Sequence, residues 1–215
     1  MRFKVCVVAA ATWLAAHAAW AQNQEFSFYG GIQESPHSTV KHAGSSFGAG
    51  WKGKSLNDPI YYGLRYTRWS EDNTGWSVNF AHAKAYADDK TKAKNGGYKT
   101  LEFTDGSNPL TVNYLWKFDP IYSFNPYVGV GAGIAIPHVE IRKTAETKKD
   151  KNWGFQYGGP VLRFSAGVSR PINDRWNWFA EYDFHYLMLN VKHNEGRLKT
   201  NLIHNALNLG LGYRF

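Results

Sequence analysis

The chain closes on NALNLGLGYRF, in which Leu207, Leu209, Leu211, Tyr213 and Phe215 alternate with Asn208, Gly210, Gly212 and Arg214. Successive side chains of a strand point to opposite faces, so this segment has one greasy face and one small or polar face. The pattern recurs upstream. Glu25 to Gln33 sets Phe26, Phe28 and Ile32 against Ser27, Tyr29 and Gln33, and Ile60 to Ser70 sets Ile60, Tyr62, Leu64 and Tyr66 against Tyr61, Gly63, Arg65 and Thr67. Trp76, Val78 and Phe80 oppose Ser77, Asn79 and Ala81, while Leu110, Val112, Tyr114, Trp116 and Phe118 oppose Thr111, Asn113 and Lys117. Val128, Val130, Ala132, Ile134 and Ile136 alternate with glycines, and Leu162, Phe164, Ala166 and Val168 mark a sixth segment. In the seventh, Trp178, Ala180, Tyr182, Phe184 and Tyr186 face away from Glu181, Asp183 and His185. With the terminal segment these make eight strands of about ten residues, the length a tilted strand needs to cross a bilayer.

The connections alternate too. Residues 71–75, 119–125 and 171–175 are short and turn-rich, whereas 34–59, 84–108, 141–153 and 190–200 are longer. Short turns at one end and long loops at the other are the pattern of outer-membrane barrels. Trp69, Trp76, Trp116, Trp176 and Trp178 all fall near the short turns, as an interfacial aromatic girdle requires. The predicted architecture is all-β: an eight-stranded antiparallel transmembrane β-barrel of the bacterial outer membrane. A secreted sandwich or lipocalin-like barrel has no reason to segregate its loops in this way.

The N-terminus agrees with export. Arg2 and Lys4 precede an apolar run from Val5 to Ala16, and Ala19-Trp20-Ala21 has the small-x-small form of a signal-peptidase site. Residues 1–21 therefore read as a cleaved signal peptide and 22–215 as one barrel domain. The only cysteine, Cys6, lies in the signal, which excludes disulfides, thiol nucleophiles and cysteine-ligated metals from the mature chain. A hydrophobic content of 43% spread over alternating segments excludes a helical membrane protein. Without Arg2 and Lys4, 23 basic residues face 17 acidic ones, an excess that suits a partner bearing phosphates or a mixed solvated surface.

Eight strands enclose a lumen that side chains largely fill, so a general porin is not expected. His37, His42, His82, His138, His185, His193 and His204 all fall in long loops or at the extracellular ends of strands, with Glu102, Asp105, Glu140, Glu181 and Asp183 nearby. Imidazole and carboxylate on one rim are donors for a divalent metal ion, although polar residues also gather wherever water is. His82 shares parity with Phe80 and His138 with Ile136, so strict alternation aims both outward, unless a bulge near Pro137 intervenes or the strands have already left the hydrocarbon. His185 and His204 lie on the inward parity and are the stronger candidates. Glu181 and Asp183 share one inner face about 7 Å apart. They are read first as partners of Arg65, Arg163 or Arg214, because an unpaired buried charge is costly, and second as an acid/base pair.

Lys41, Lys52 and Lys54, then Lys90, Lys92, Lys94 and Lys99, then Lys143, Lys148, Lys149 and Lys151 form a cationic crown suited to the phosphates of lipopolysaccharide. Nucleic acid is no partner at this location, and the glycines of GVGAGIAIP lie in a strand rather than a strand-to-helix turn. Acyl-chain hydrolysis would need a serine, a histidine and an acid together, and Ser45, Ser46 and Ser107 have no phase relation to a histidine.

Several stretches carry a resemblance: FSFYGG (Phe26 to Gly31), GWKGKS (Gly50 to Ser55), PIYYGLRYTRW (Pro59 to Trp69), NFAHAKAYADD (Asn79 to Asp89), LEFTDGSNPLTVN (Leu101 to Asn113), NPYVGVGAGIAIPHVE (Asn125 to Glu140) and TNLIHNALNLG (Thr200 to Gly210). The chain resembles the small outer-membrane barrels described as lipid A oxidases in rhizobia. That resemblance implies conversion of the proximal glucosamine of lipid A to 2-aminogluconate with oxygen and a divalent metal ion. It directs attention to His82, Glu102, Asp105 and His138 as metal ligands and to His82, His138, His185, His204 and Glu140 as catalytic groups. Lys84, Lys52, Lys54 and Asn113 are the corresponding candidates for substrate binding. A monomer in the bilayer is expected, and a non-catalytic structural or ligand-binding barrel is the competing expectation.

Overall fold

The computed structural model describes residues 24–94, 97–144, 150–151, 154–193 and 196–215. The expected signal peptide lies outside the described residues, as do Lys148 and Lys149 of the crown. In chain order the elements are β1 (Gln24–Glu34), β2 (Ser38–His42), β3 (Ser45–Ala49), β4 (Trp51–Lys52), β5 (Tyr62–Trp69), β6 (Thr74–His82), β7 (Ala85–Ala87) and α1 (Asp89–Lys94). They continue as β8 (Tyr98–Phe103), β9 (Pro109–Lys117), β10 (Asn125–Ala135), β11 (Glu140–Lys143), β12 (Asp150–Lys151), β13 (Gly159–Pro171), β14 (Trp176–His193) and β15 (Gly196–Arg214).

Eight strands form the ring β1-β5-β6-β9-β10-β13-β14-β15, each antiparallel to its neighbours. It closes through β1 and β15, from Glu25 opposite Arg214 to Glu34 opposite Asn205. No edge is left unpaired in the ring, as a sheet surrounded by hydrocarbon requires. The burial pattern is that of a protein inside out: Leu209 is 68% exposed and its inward neighbour Asn208 only 3%. Phe28, Val112, Leu162 and Leu207 also face outward, where lipid rather than water receives them. Trp76, Trp116 and Trp176 face outward beside the short turns, in the girdle position.

The long loops are not loops throughout. Residues 190–200, read from sequence as a connection, continue β14 and β15 as a hairpin paired up to His193 opposite Gly196. The other connections contribute a second sheet in the order β12-β11-β8-β7-β4. Above His185 the inward column of β14 becomes Leu187, Leu189 and Val191, which pack with Leu198, Leu202, Val161, Leu101, Phe103 and Trp51. A strand that is polar inside the membrane and apolar inside above it has left the lumen wall and become one side of a cap core. The extracellular end is therefore a packed cap, and its core holds the mouth residues in place.

Candidate functional site

Halfway along the barrel, charge fills the lumen. Arg65 Nη1 donates to Glu181 Oε2 at 2.6 Å, and Arg163 reaches Glu181 Oε1 at 3.0 Å and Asp183 Oδ1 at 2.8 Å. Tyr127 donates its hydroxyl to Glu181 Oε2 at 2.9 Å, and the Arg65 guanidinium lies 4.6 Å from the Phe179 ring centre. All four charged groups are buried, so mutual pairing is what makes them tolerable. The pairing anticipated for Arg65 and Arg163 is present; Arg214 instead lies 3.6 Å from Glu25 at the short-turn end. Asn113, a candidate for substrate binding, donates to Ser77 O and Oγ within this interior, remote from any outer surface.

Above the charge cluster, the segment between β8 and β9 turns into the mouth of the barrel. Ser107 N donates to Ala83 O, His138 N to Gly106 O, and Ile136 N to Asn108 O. Asn108 accepts from His82 Nδ1 at 3.0 Å and donates to the carbonyls of Asp105 and Ile136. His82 is buried between this segment and the Tyr62 ring, 5.4 Å away, so the outward aim that alternation predicts does not expose it. His138 escapes alternation because β10 ends at Ala135.

His185 and His204 face each other across β14 and β15 on the inward side, both sealed. His204 receives hydrogen bonds at Nδ1 from Gln33 Nε2 and Ser35 Oγ. Its proton is therefore on Nε2, which donates to Ser107 Oγ at 2.8 Å, and the Ser107 hydroxyl donates on to Ala83 O. Sequence order gives Ser107 no relation to a histidine; the fold gives it one. An amide and a hydroxyl stand where a hydrolytic triad has its carboxylate, and His204 is the donor rather than the base. The pair is a clamp on the segment carrying Asp105.

That segment delivers Asp105 to His138, with Oδ2 2.5 Å from Nδ1. Glu140 completes a group whose three ligand atoms all lie within 4.8 Å of one another. Asp105 is half exposed, so the group opens to the outside, while His138 and Glu140 are buried beneath it. Of the four metal candidates, Asp105 and His138 come together here; Glu102 lies one strand away opposite Glu140, and His82 is taken by Asn108. One rung of the second sheet runs Lys52, Tyr86, Glu102, Glu140 across β4, β7, β8 and β11.

Tyr86 joins the carboxylates to the lysines. Lys54 Nζ lies 4.2 Å and Lys84 Nζ 5.5 Å from its ring centre. Burial, and then the charges of Glu102 and Asp105, hold the Tyr86 hydroxyl above its ordinary range. Burial, and then neighbouring Lys54, lower the Lys84 ammonium. The Lys84 side chain is enclosed and donates to Asn57 O at 2.7 Å. The mouth therefore presents an acidic and imidazole group beside a cluster of amines. Tyr86 and Asn108 escaped the sequence reading, and Ser107 was set aside in it, because their roles depend on pairings between distant segments; all three do lie inside two of the resembling stretches.

The model of the family described as outer membrane protein beta-barrel domain matches residues 6–215. OprG, an outer membrane protein from Pseudomonas aeruginosa, superimposes with a TM-score of 0.52 at 14% identity, covering 89% of this chain and 95% of its own. Neisserial surface protein A superimposes with a TM-score of 0.51 at 13% identity, covering 90% of this chain and 97% of its own. At such identity the likeness is one of fold. No curated protein matches the chain.

Proposed function

The chain belongs to the outer membrane protein β-barrel family and lies in the bacterial outer membrane, and from that premise we propose that it is a lipid A oxidase whose divalent-metal site is Asp105, His138 and Glu140. The observation that carries this reading is a convergence. Asp105 comes from the resembling stretch LEFTDGSNPLTVN and His138 and Glu140 from NPYVGVGAGIAIPHVE, and the three meet on the outward-opening side of the mouth. One imidazole nitrogen with two carboxylates is a donor set of hard and borderline character that suits a divalent ion holding open positions.

When bound, such an ion supplies the Lewis acidity and redox capacity that oxidation of a sugar needs. The chain's own residues do the rest. Ser107, Asn108, His82 and His204 hold the Asp105 segment against the barrel end. Lys54 and Lys52, exposed beside Tyr86, offer ammonium donors to a phosphate of lipid A, while Lys84 is enclosed beneath them and holds the carbonyl of Asn57. The half-exposed Asp105 marks the open side from which a glycolipid approaches.

A non-catalytic barrel is the second reading, favoured by the sealing of His185, His204 and His82 among protein partners. Mass spectrometry of lipid A after incubation with the folded barrel, in air with divalent metal, separates the two. A product heavier by one oxygen atom is expected, absent with chelator, absent without oxygen, and absent with Asp105→Asn and His138→Gln. Unchanged lipid A from the wild-type barrel sinks the oxidase, and loss of an acyl chain would replace it with a hydrolase.

A further inference from the structure

The outer wall of the cap carries an arrangement that the mouth does not explain. β2 lies against the upper part of β15 with Lys41 directly opposite Lys199. Both lysines are exposed, and the flanking Val40, His42, Leu198 and Thr200 are buried, so the two amines point away from the cap core. Directly opposed residues of an antiparallel pair have Cβ atoms about 5 Å apart, and like charges there repel. On the same outward face, Lys192 of β14 stands opposite Arg197 of β15. Three adjacent strands thus bring four cations to one surface.

Along this surface runs a groove of about 560 Å³, lined by His37, Thr39, Lys41, Tyr186, Lys199 and Ile203 among others, with no acidic residue in its lining among the described residues. Its polarity is graded. Lys41 and Lys199 stand at the end away from the membrane, and Tyr186 and Ile203, paired across β14 and β15, stand toward it. Below them the outward face continues as Tyr182 and Leu207, in the lipid-facing band. The groove therefore lies on the outer wall and runs down toward the lipid-facing band.

We propose that this groove binds a phosphate-bearing glycolipid of the outer leaflet, with the phosphate between Lys41 and Lys199 and an acyl chain descending over Tyr186 and Ile203. An anion between the two amines turns their repulsion into two charge-assisted hydrogen bonds. The apolar floor selects a lipid over a free anion, and the paired amines of Lys41 and Lys199 select a phosphorylated headgroup over a zwitterionic one. This site is separate from the mouth and does not depend on the oxidase reading.

Amine-labelling footprints on the full-length barrel, folded in detergent with chelator present so that no turnover occurs, test it directly. Bis-phosphorylated lipid A is expected to suppress labelling of Lys41 and Lys199 several-fold, with Lys90 of α1 as the exposed reference. Fully dephosphorylated lipid A, phosphatidylglycerol and inorganic phosphate are expected to leave the labelling high. Native mass spectrometry of Lys41→Gln/Lys199→Gln, whose folding is checked by heat-modifiable gel mobility, is expected to show about tenfold weaker retention of lipid A, the loss of 1.4 kcal/mol. Equal protection by the dephosphorylated lipid, protection by inorganic phosphate or phosphatidylglycerol, or undiminished retention by the double variant would each overturn the assignment. Because the readout is binding without oxidation, it fails or succeeds independently of the mouth chemistry.

Discussion

Glu181 is the residue on which the interior turns. It accepts Arg65, Arg163 and the Tyr127 hydroxyl at once, and its side chain is closed to bulk solvent. Glu181→Gln keeps the volume and removes the charge, leaving two buried guanidinium groups with Asp183 as their nearest carboxylate. Breaking a buried pair from one side costs roughly 3–5 kcal/mol, since the remaining charge is uncompensated. The variant, refolded into lipid vesicles, is expected to unfold at a markedly lower urea concentration than the wild type. An unchanged midpoint would mean that the cluster is solvated, contrary to its burial. This much was legible in the sequence, because Glu181 and Asp183 share parity with each other and with no lipid-facing residue.

The element on which the mouth turns is the short segment between β8 and β9. Gly106 there adopts φ +88, a left-handed conformation that glycine takes without steric penalty. An added Cβ would also stand 2.8 Å from His82 Nδ1 and closer still to Asn108 Oδ1. Gly106→Ala must therefore shift the segment that carries Asp105 while leaving every barrel strand intact. Divalent-metal binding measured by calorimetry is expected to weaken about tenfold or more, with an unchanged urea midpoint; the reverse pattern would show that the segment belongs to the barrel's stability rather than to the site. Nothing local in the sequence announces this segment. Alternation reports which face a strand residue takes, and it is silent on a turn that folds back into the mouth and meets His82 and Ala83 at the end of β6 and His204 on β15. The cap was hidden for a related reason. Leu187, Leu189 and Val191 keep the parity of Asp183 and His185, so the change from lumen to cap core leaves the period untouched and alters only the polarity of one column.

At the scale of the whole molecule, ring closure and filling decide what can pass. Two barriers stand in series along the axis. The first is the cluster of Arg65, Arg163, Glu181 and Asp183, wedged among Tyr29, Tyr127 and Phe179. The second is the cap core, where Val161, Leu187, Leu202 and Phe103 meet above the sealed His185 and His204. A narrow barrel with one polar plug could conduct when the plug parts; one with an apolar core above the plug cannot, because ions would have to cross a packed, dry layer. Planar-bilayer recordings of the wild type are therefore expected to show no conductance steps. The discriminating variant is Arg163→Ala/Glu181→Ala, which empties part of the lower barrier and leaves the cap core in place. It is expected to remain silent although less stable. Conductance in that variant would mean that the cap opens in the membrane, whereas steps already present in the wild type would overturn the filled-lumen reading and return the barrel to the porins.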